Sequence, residues 1–256
     1  MCGFAVDDGE TIVQRAAKIS PKFEGKGYLQ LLIQRIIQEA RQRYNLQRMA
    51  FAMDIDNPFI QRNSFWRKNT LISTKHMFRY MVTPGQLSQC SELPNSRLLK
   101  NVSVHAVAEY FHTEVIRKYL FPEGRIVVHW VPHRLLPSNL ALLDATNTVC
   151  FTDVKVNDGF ASGLLSIATF YTVRQPRYAY IVDLYGTDVN SVRYHLLYHL
   201  RFIGNTLKDL ACLSIVVDRQ FEEQKLLDII AEWRLIKWTD SDKPNNTVQL
   251  FMESNL

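Results

Sequence analysis

Apolar residues follow strand-like and helix-like spacings in turn along this 256-residue chain. An apolar run over residues 11–20 predicts a first strand, and runs over 47–53 and 71–82 predict two more, the last as a strand or hairpin. Residues 59–68 allow a short helix before the third run. Between the first two strands, apolar residues recur every three or four positions and predict an amphipathic helix: Leu29, Leu32, Ile36 and Ala40.

The second half shows the same kind of order after a polar interruption. Residues 83–101 are rich in Pro, Gly, Gln, Ser and Asn and predict a linker, and the apolar face of 104–120 predicts a helix. The chain is predicted to close with a hairpin made from 235–238 and 247–252. Between these segments we expect strands at 125–131, 148–155, 164–173, 177–185 and 210–217, and helices at 138–145, 189–204 and 222–233.

Two glycines stand between the first predicted strand and the first helix. Ile19-Ser20-Pro21 ends the strand, because proline cannot continue its hydrogen bonding, and Lys22-Phe23-Glu24-Gly25-Lys26-Gly27 forms the loop. Bare N–H groups at a helix N-terminus bind anions, and glycine lacks the Cβ that holds a phosphate away. A dinucleotide fingerprint needs three glycines and a P-loop needs Gly-Lys-Ser/Thr, so neither is present. A plain strand–turn–helix crossover is the alternative.

This segment resembles motif A of the GNAT superfamily of acyl-CoA N-acyltransferases. In that motif a V-x-P strand end precedes [QR]-x-x-G-x-[GA] and a helix; here Lys22 replaces the usual Gln or Arg. The resemblance implies acetyl-CoA as cosubstrate, with the backbone of Ile19 and Ser20 pairing with its pantetheine arm. It also implies a pyrophosphate site at the N–H groups of Phe23, Glu24, Gly25, Lys26, Gly27 and Tyr28, with charge from Lys22 and Lys26.

Asn57 is a further candidate contact for the pantetheine amide, although Asp-Asn-Pro is more often only a turn. For both lysines the alternative is a solvated turn charge. In the second half, Gly186-Thr187-Asp188 has a single glycine, and an aspartate stands where phosphates would lie. We therefore expect no coenzyme A site there. Asp188 or Thr187 is instead expected to cap the following helix.

Four further short blocks lie in the two halves of the chain: Val6-Asp7-Asp8-Gly9, Trp130-Val131-Pro132, Ser138-Asn139-Leu140-Ala141-Leu142-Leu143 and Asp183-Leu184-Tyr185-Gly186-Thr187-Asp188. These blocks resemble the histidine N-acetyltransferases and their close relatives. That resemblance implies acetyl transfer from acetyl-CoA to the α-amine of a free amino acid, histidine in those relatives. Nothing in the composition or spacing of this chain shows specificity for histidine.

The expected fold class is α/β with a mixed sheet: a partial GNAT fold followed by a second, degenerate GNAT-like domain. We place the C-terminal part of an acetyltransferase domain with its acetyl-CoA loop at 1–84, a linker and connecting helix at 85–120, and the degenerate domain at 121–256. Only about ten residues precede the first motif. The chain is therefore expected to lack the N-terminal part of the first domain.

Direct attack needs an unprotonated amine, so a base has to accept a proton. Glu10, just ahead of the first strand, is the candidate, and a solvated hairpin glutamate is the alternative. Trp66 stands where the resemblance expects a tyrosine that protonates the departing thiolate, and an indole cannot do so. The competing function is therefore a non-catalytic or truncated relative that binds acyl-CoA or acts as a scaffold.

Composition removes other classes of function. The formal charge of +5 is dispersed, without the basic runs of nucleic-acid binding, and no apolar run approaches the roughly 20 residues of a membrane span. The four cysteines are scattered, which argues against a disulfide framework or metal site and favours a cytoplasmic location.

Four histidines are candidate site residues. His195 and His199 lie one helical turn apart, but a zinc-protease pattern would need glutamate at 196, so packing is the favoured interpretation. His129 and His133 either line a pocket or simply end a strand. The sequence does not determine the oligomeric state.

Overall fold

The computed structural model describes residues 2–15, 19–83, 99–144, 147–174, 177–207, 209–238 and 246–256. The strands in these residues are β1 (Cys2–Val6), β2 (Thr11–Arg15), β3 (Arg48–Asp54), β4 (Thr70–Val82), β5 (Lys100–Val102), β6 (Arg125–Val128), β7 (Val131–Arg134), β8 (Thr148–Thr152), β9 (Lys155–Asn157), β10 (Phe160–Ser162), β11 (Leu165–Thr172), β12 (Tyr178–Tyr185), β13 (Ala211–Asp218), β14 (Ile236–Lys237) and β15 (Asn246–Asn255). The helices are α1 (Tyr28–Arg41), α2 (Asn63–Lys68), α3 (Ala108–His112), α4 (Glu114–Leu120), α5 (Pro137–Asp144), α6 (Val189–Phe202) and α7 (Glu223–Glu232).

Eleven strands form one mixed sheet, which confirms the predicted α/β class. Its order is β1-β2-β3-β15-β4-β13-β12-β11-β8-β5, with β14 also paired to β4. The pairs β2–β3 and β12–β13 are parallel, and the other pairs in this sheet are antiparallel. Each parallel pair is joined by a helix, α1 in the first case and α6 in the second, as parallel strands require. The chain therefore contains the two strand–helix–strand units that its pattern predicted.

The last strand joins the two halves. β15 lies between β3 and β4 and pairs with both, and β14 pairs with the end of β4 beyond it. The predicted hairpin of 235–238 with 247–252 is therefore wrong: the 13-residue β4 is long enough for both segments to pair along the same edge. The division at 84 and 120 stays a prediction, and residues 84–98 of the predicted linker lie outside the described residues.

Opposite faces of the sheet carry separate cores. Alternate residues of the strands point to one face of the sheet and pack against α6 and α7. Phe78, Tyr180 and Ile215 of the strands and Leu196 of α6 are at most 1% exposed there. Residues that point to the other face in β8, β11 and β12 pack against α3 to α5 and the β6–β7 hairpin. The alternation of side chains across a strand produces this division. None of the helices in the described ranges is long and apolar enough to span a bilayer.

Two predicted elements are divided in the structure. The segment 125–131 is a hairpin, with β6 and β7 joined by the two residues His129 and Trp130, because both adopt positive φ and reverse the chain. The predicted helix over 104–120 begins with a 3₁₀ turn at His105–Val107 and then divides into α3 and α4. Thr113 takes an extended conformation there, and its hydroxyl donates to the carbonyl of Glu109 at 3.3 Å.

Both histidines of α6 belong to a buried chain of hydrogen bonds, which confirms the packing interpretation. Tyr180 Oη lies 2.8 Å from His199 Nδ1, and His199 Nε2 lies 2.9 Å from Ser166 Oγ. Ser166 Oγ is in turn 2.7 Å from His195 Nδ1, and His195 Nε2 is 3.4 Å from Asp153 Oδ1. Donation in one direction, from the tyrosine hydroxyl to the carboxylate, satisfies each of these contacts with neutral imidazoles.

Acidification is expected to destabilise the protein between pH 6.5 and 5. Burial lowers the pKa of His129 and of His133 to about 4, and lowers that of His199 well below its usual value. In the unfolded chain these histidines bind protons near pH 6.5, whereas in the native chain they stay neutral. The free energy of unfolding therefore falls as the pH falls. Burial raises the pKa of Asp183 to about 7, which gives the native state one compensating proton. The net two protons correspond to at most about 2.7 kcal/mol per pH unit.

Urea unfolding at pH 7, 6 and 5 measures this dependence. In the H133Q variant, the slope of the unfolding free energy against pH should decrease by the equivalent of about one proton. H112Q removes an exposed histidine and should leave this slope unchanged. Stability that is constant or higher at pH 5 would contradict this expectation.

Candidate functional site

A cavity of about 520 Å³ lies at one end of β2 and β3 and is lined by residues of both strands. The two strands are paired as far as Gln14 and Phe51; the described part of β2 reaches Arg15, and β3 reaches Asp54. The cavity extends from Leu29 in the first turn of α1 to Trp130 at the tip of the β6–β7 hairpin. Volumes of this size are typical of small-molecule sites.

The glycine loop lies beside this cavity with its backbone open. Pro21–Phe23 forms a 3₁₀ turn, and Gly25 and Gly27 have φ of +73° and +77°. No heavy atom lies within 4 Å of the position that a Cβ would take at either glycine. The N–H groups of Gly25, Gly27, Tyr28 and Leu29 donate to no acceptor within the described part of the chain. The loop therefore has both the space and the donors that an anion needs.

Two lysines concentrate positive charge on this loop. Lys22 Nζ lies 4.8 Å from the centre of the Phe23 ring, and Lys26 Nζ lies 5.7 Å from it. The Phe23 ring in turn meets the Tyr28 ring edge to face at 5.5 Å. The aromatic pair therefore gives both ammonium groups a common support beside the glycines.

The other predicted cofactor contacts lie around the same loop. Ile19 and Ser20 follow directly on residues outside the described ranges, and the Ser20 carbonyl accepts from Phe23 N at 2.8 Å. Glu24 is exposed on the loop. The N–H groups of Phe23, Glu24 and Lys26 donate to the carbonyls of Ser20, Pro21 and Phe23, so these three predicted donors are already engaged. Asn57 both lines the cavity and caps a 3₁₀ turn, since its Oδ1 accepts from Phe59 N at 3.0 Å.

The structure does not bring Glu10 to the cavity. Glu10 forms an ion pair with Arg48 at the opposite end of β2, where its carbonyl also accepts from Gln47 N and Arg48 N. Arg15 lies five residues farther along the extended chain, a distance of roughly 17 Å. Glu10 as the base stays a prediction that this position does not favour.

The equivalent helix end in the second half is closed. Asp188 caps α6, as predicted, because its carboxylate accepts from Asn190 N at 3.1 Å. Gly186 has φ of +98°, and a Cβ there would lie 2.8 Å from the carbonyl oxygen of Gly163. An acidic cap and a close backbone contact occupy the place that remains open beside Gly25 and Gly27.

The hairpin tip that borders the cavity has an unfavourable backbone. His129 and Trp130 have φ of +51° and +69°, a two-residue turn that normally selects Asn-Gly. Such residues cost on the order of 1–3 kcal/mol each and are concentrated at functional sites. The turn places the Trp130 side chain on the cavity and the His129 ring 4.9 Å from the ring of Tyr171. His129 N approaches a carboxylate oxygen of the buried Asp183 at 3.4 Å.

Sequence reasoning missed two charged residues of the cavity, Arg15 and Asp54. Both line it, and Gln249 of β15 donates its side-chain amide to Asp54. Arg15 fell within a predicted strand and Asp54 just beyond another, so neither carried a motif. A charged residue at the end of a predicted parallel strand is the one signal that was available.

Blocks that were distant in the sequence meet across the two halves. Asp7 N donates to Asn139 Oδ1 at 2.8 Å, and Asn139 Nδ2 donates back to Asp7 Oδ1 at 2.8 Å. Arg134 N also donates to Asp7 Oδ1, at 2.9 Å. Two of the blocks that resemble the histidine N-acetyltransferases are thus joined by reciprocal hydrogen bonds.

Comparison with known proteins confirms that resemblance. Residues 92–218 match the family described as histidine N-acetyltransferase, C-terminal. The histidine N-acetyltransferases of Oreochromis niloticus and Scomber australasicus are each 22% identical to this chain over an alignment of 227 residues that covers 83% of this chain and 66% of each relative. The match thus covers just under two thirds of those proteins. A GCN5-related N-acetyltransferase from Sphaerobacter thermophilus superposes with a TM-score of 0.43 at 8% identity, over 96% of this chain and 72% of that one.

Proposed function

We propose that this chain, whose residues 92–218 match the C-terminal domain of the histidine N-acetyltransferases, moves an acetyl group from acetyl-CoA to the α-amine of a free amino acid. The observation that carries the proposal is the open glycine loop beside the cavity at the end of β2 and β3. Histidine is the first acceptor to test, because the matching relatives carry its name.

The residues present fit acetyl-CoA. The N–H groups of Gly25, Gly27, Tyr28 and Leu29 and the ammonium groups of Lys22 and Lys26 would hold its pyrophosphate. The pantetheine arm would run along the cavity, next to Ile19, Ser20 and Asn57. When bound, acetyl-CoA supplies a thioester carbonyl that an amine can attack.

The chain's own contribution is to bring an amine to that carbonyl and to keep it in place. As the amine nitrogen bonds to the acetyl carbon, the bond from carbon to sulfur breaks, and the proton that the nitrogen gives up ends on the departing thiolate, which leaves as the free thiol. Trp130 closes the cavity opposite α1, so the acceptor would enter on the hairpin side while acetyl-CoA enters on the loop side. Holding both reactants in one cavity is the main source of rate in such a transfer.

One observation favours a second candidate, a non-catalytic acyl-CoA-binding relative. Trp66, which stands where the resemblance expects a tyrosine acid, donates its indole N–H to the carbonyl of Ile60 at 2.6 Å. It therefore serves the α2 region structurally and has no proton to give a thiolate.

The test is acetyl transfer by the purified chain. Calorimetry with acetyl-CoA should give micromolar binding, and release of the free thiol should require an added amino acid, with the acetylated product identified by mass spectrometry. Binding of acetyl-CoA without transfer to any of the twenty amino acids would select the non-catalytic candidate. A folded sample that does not bind acetyl-CoA would reject both.

A further inference from the structure

We propose that Arg15 and Asp54 select a free α-amino acid as the acceptor, Arg15 by binding its carboxylate and Asp54 by binding its amino group. The inference rests on the acetyltransferase function proposed above and adds the charges of the acceptor to it. Arg15 and Asp54 would be specificity-determining residues of the acceptor side of the cavity.

Both side chains lie on the same face of the sheet. Val13 and Ala50 pack against Val131 of β7, which covers this face. Side chains alternate along a strand, so Arg15, two residues after Val13, and Asp54, four residues after Ala50, belong to the face that β7 covers. The α1 face holds the glycine loop. The two charges therefore lie on the side of the cavity opposite to the proposed cofactor loop.

The spacing of the two residues suits an α-amino acid. Arg15 falls opposite Ala52 when the register of Gln14 with Phe51 is continued, and Asp54 lies two residues farther along β3. One strand spacing and two residue rises place their Cα atoms on the order of 8 Å apart. An α-amino acid carries its amino and carboxylate groups on the same carbon atom, and the long arginine side chain can span the remaining distance.

Neighbouring groups define the environment of each charge. Gln249 donates to Asp54 Oδ1, which holds the carboxylate in position. The Arg15 guanidinium acts on the rings of His129 and Tyr171. Burial is the main cause of the lowered pKa of His129, and the charge of Arg15 lowers it further. Burial raises the pKa of Tyr171, and the charge of Arg15 opposes that rise. Its positive charge therefore acts on the hairpin side of the cavity.

Trp130 provides the wall for the acceptor's side chain. The indole packs on a buried apolar cluster of Met77, Ile181 and Val216, and the turn discussed above holds it there. A planar or cationic side chain such as imidazole stacks well on an indole face. The three residues thus contact three parts of an amino acid: its carboxylate, its amino group and its side chain.

The test compares acceptors that differ in one charge. Wild-type chain should acetylate histidine with a kcat/KM at least 100-fold above that for histamine or histidinamide, neither of which has a carboxylate. R15M should lower kcat/KM for histidine at least 50-fold and change that for histamine less than threefold, with unchanged binding of acetyl-CoA. R15K should have a kcat/KM for histidine between those of the wild type and R15M, because lysine keeps the positive charge but lacks the planar guanidinium group. D54N should lower kcat/KM for both acceptors.

R41M, at the far end of α1, removes an exposed positive charge and is the control for net charge. Equal kcat/KM for histidine and histamine in the wild type, or an unchanged preference in R15M, would overturn the inference while leaving acetyl transfer intact. If no transfer is seen at all, calorimetry of histidine and histamine with the chain alone gives the same comparison. A preference for histidine that R15M abolishes supports the inference, and its absence overturns it.

Discussion

Replacing Gly25 by aspartate is expected to lower the affinity for acetyl-CoA about 100-fold or more, which corresponds to about 2.7 kcal/mol. The Cβ position at Gly25 faces open space, so the new carboxylate would occupy the volume assigned to the pyrophosphate. Two like charges about 4 Å apart near a protein surface repel by several kcal/mol. Calorimetric titration with acetyl-CoA measures the loss.

Two further variants separate binding from folding. Gly159→Asp places the same residue at another glycine with positive φ and open surroundings, so it carries a similar backbone cost without approaching the loop. It should bind acetyl-CoA as the wild type does. Gly25→Asn adds the same bulk without the charge, and its affinity for acetyl-CoA should be about tenfold lower than that of the wild type. An affinity of Gly25→Asp within threefold of the wild type would mean that the loop is not the pyrophosphate site.

Replacing His199 by leucine is expected to destabilise the protein by about 3 kcal/mol. The substitution leaves the Tyr180 hydroxyl buried without its partner at 2.8 Å and removes the donor to Ser166 Oγ at 2.9 Å. An unsatisfied buried polar group costs about 1–3 kcal/mol, and the lost hydrogen bonds add to that cost. Urea unfolding at pH 7 measures the change, away from the acid-sensitive range.

A double-mutant cycle distinguishes a lost hydrogen bond from poor packing. Tyr180→Phe alone should cost about 1 kcal/mol, because it removes one hydroxyl and leaves His199 Nδ1 without a donor. Added to His199→Leu, the same change should restore about 1–2 kcal/mol, since it removes the orphaned hydroxyl. If the two effects add without such recovery, the buried chain does not couple Tyr180 to His199.

The loop could be predicted from the sequence because its chemistry is local. Proline, two glycines and a helical apolar pattern lie within about 20 consecutive residues, and the structure places Gly27 directly before α1 with open backbone. Glu10 shows the limit of such reasoning. It lies close to the loop in sequence, yet an extended strand carries it to the opposite end of β2, where Arg48 is its partner.

The acceptor side of the cavity could not be predicted in the same way. Arg15, Asp54, Trp130 and Gln249 come from four strands or turns, and sheet register alone brings them to one cavity. The turn at His129-Trp130 was hidden as well, because its residues have none of the preferences of a two-residue turn.

By itself, the sequence determined the strand–helix–strand units, the mixed α/β class and the glycine loop, since each depends on spacing and backbone preference over a few consecutive residues. Only the tertiary structure decided that β15 joins both halves in one sheet, that His195 and His199 belong to a buried chain of hydrogen bonds, and that Glu10 lies away from the cavity. These features arise from contacts between residues far apart in the chain, whose formation depends on the packing of the whole sheet rather than on any local pattern.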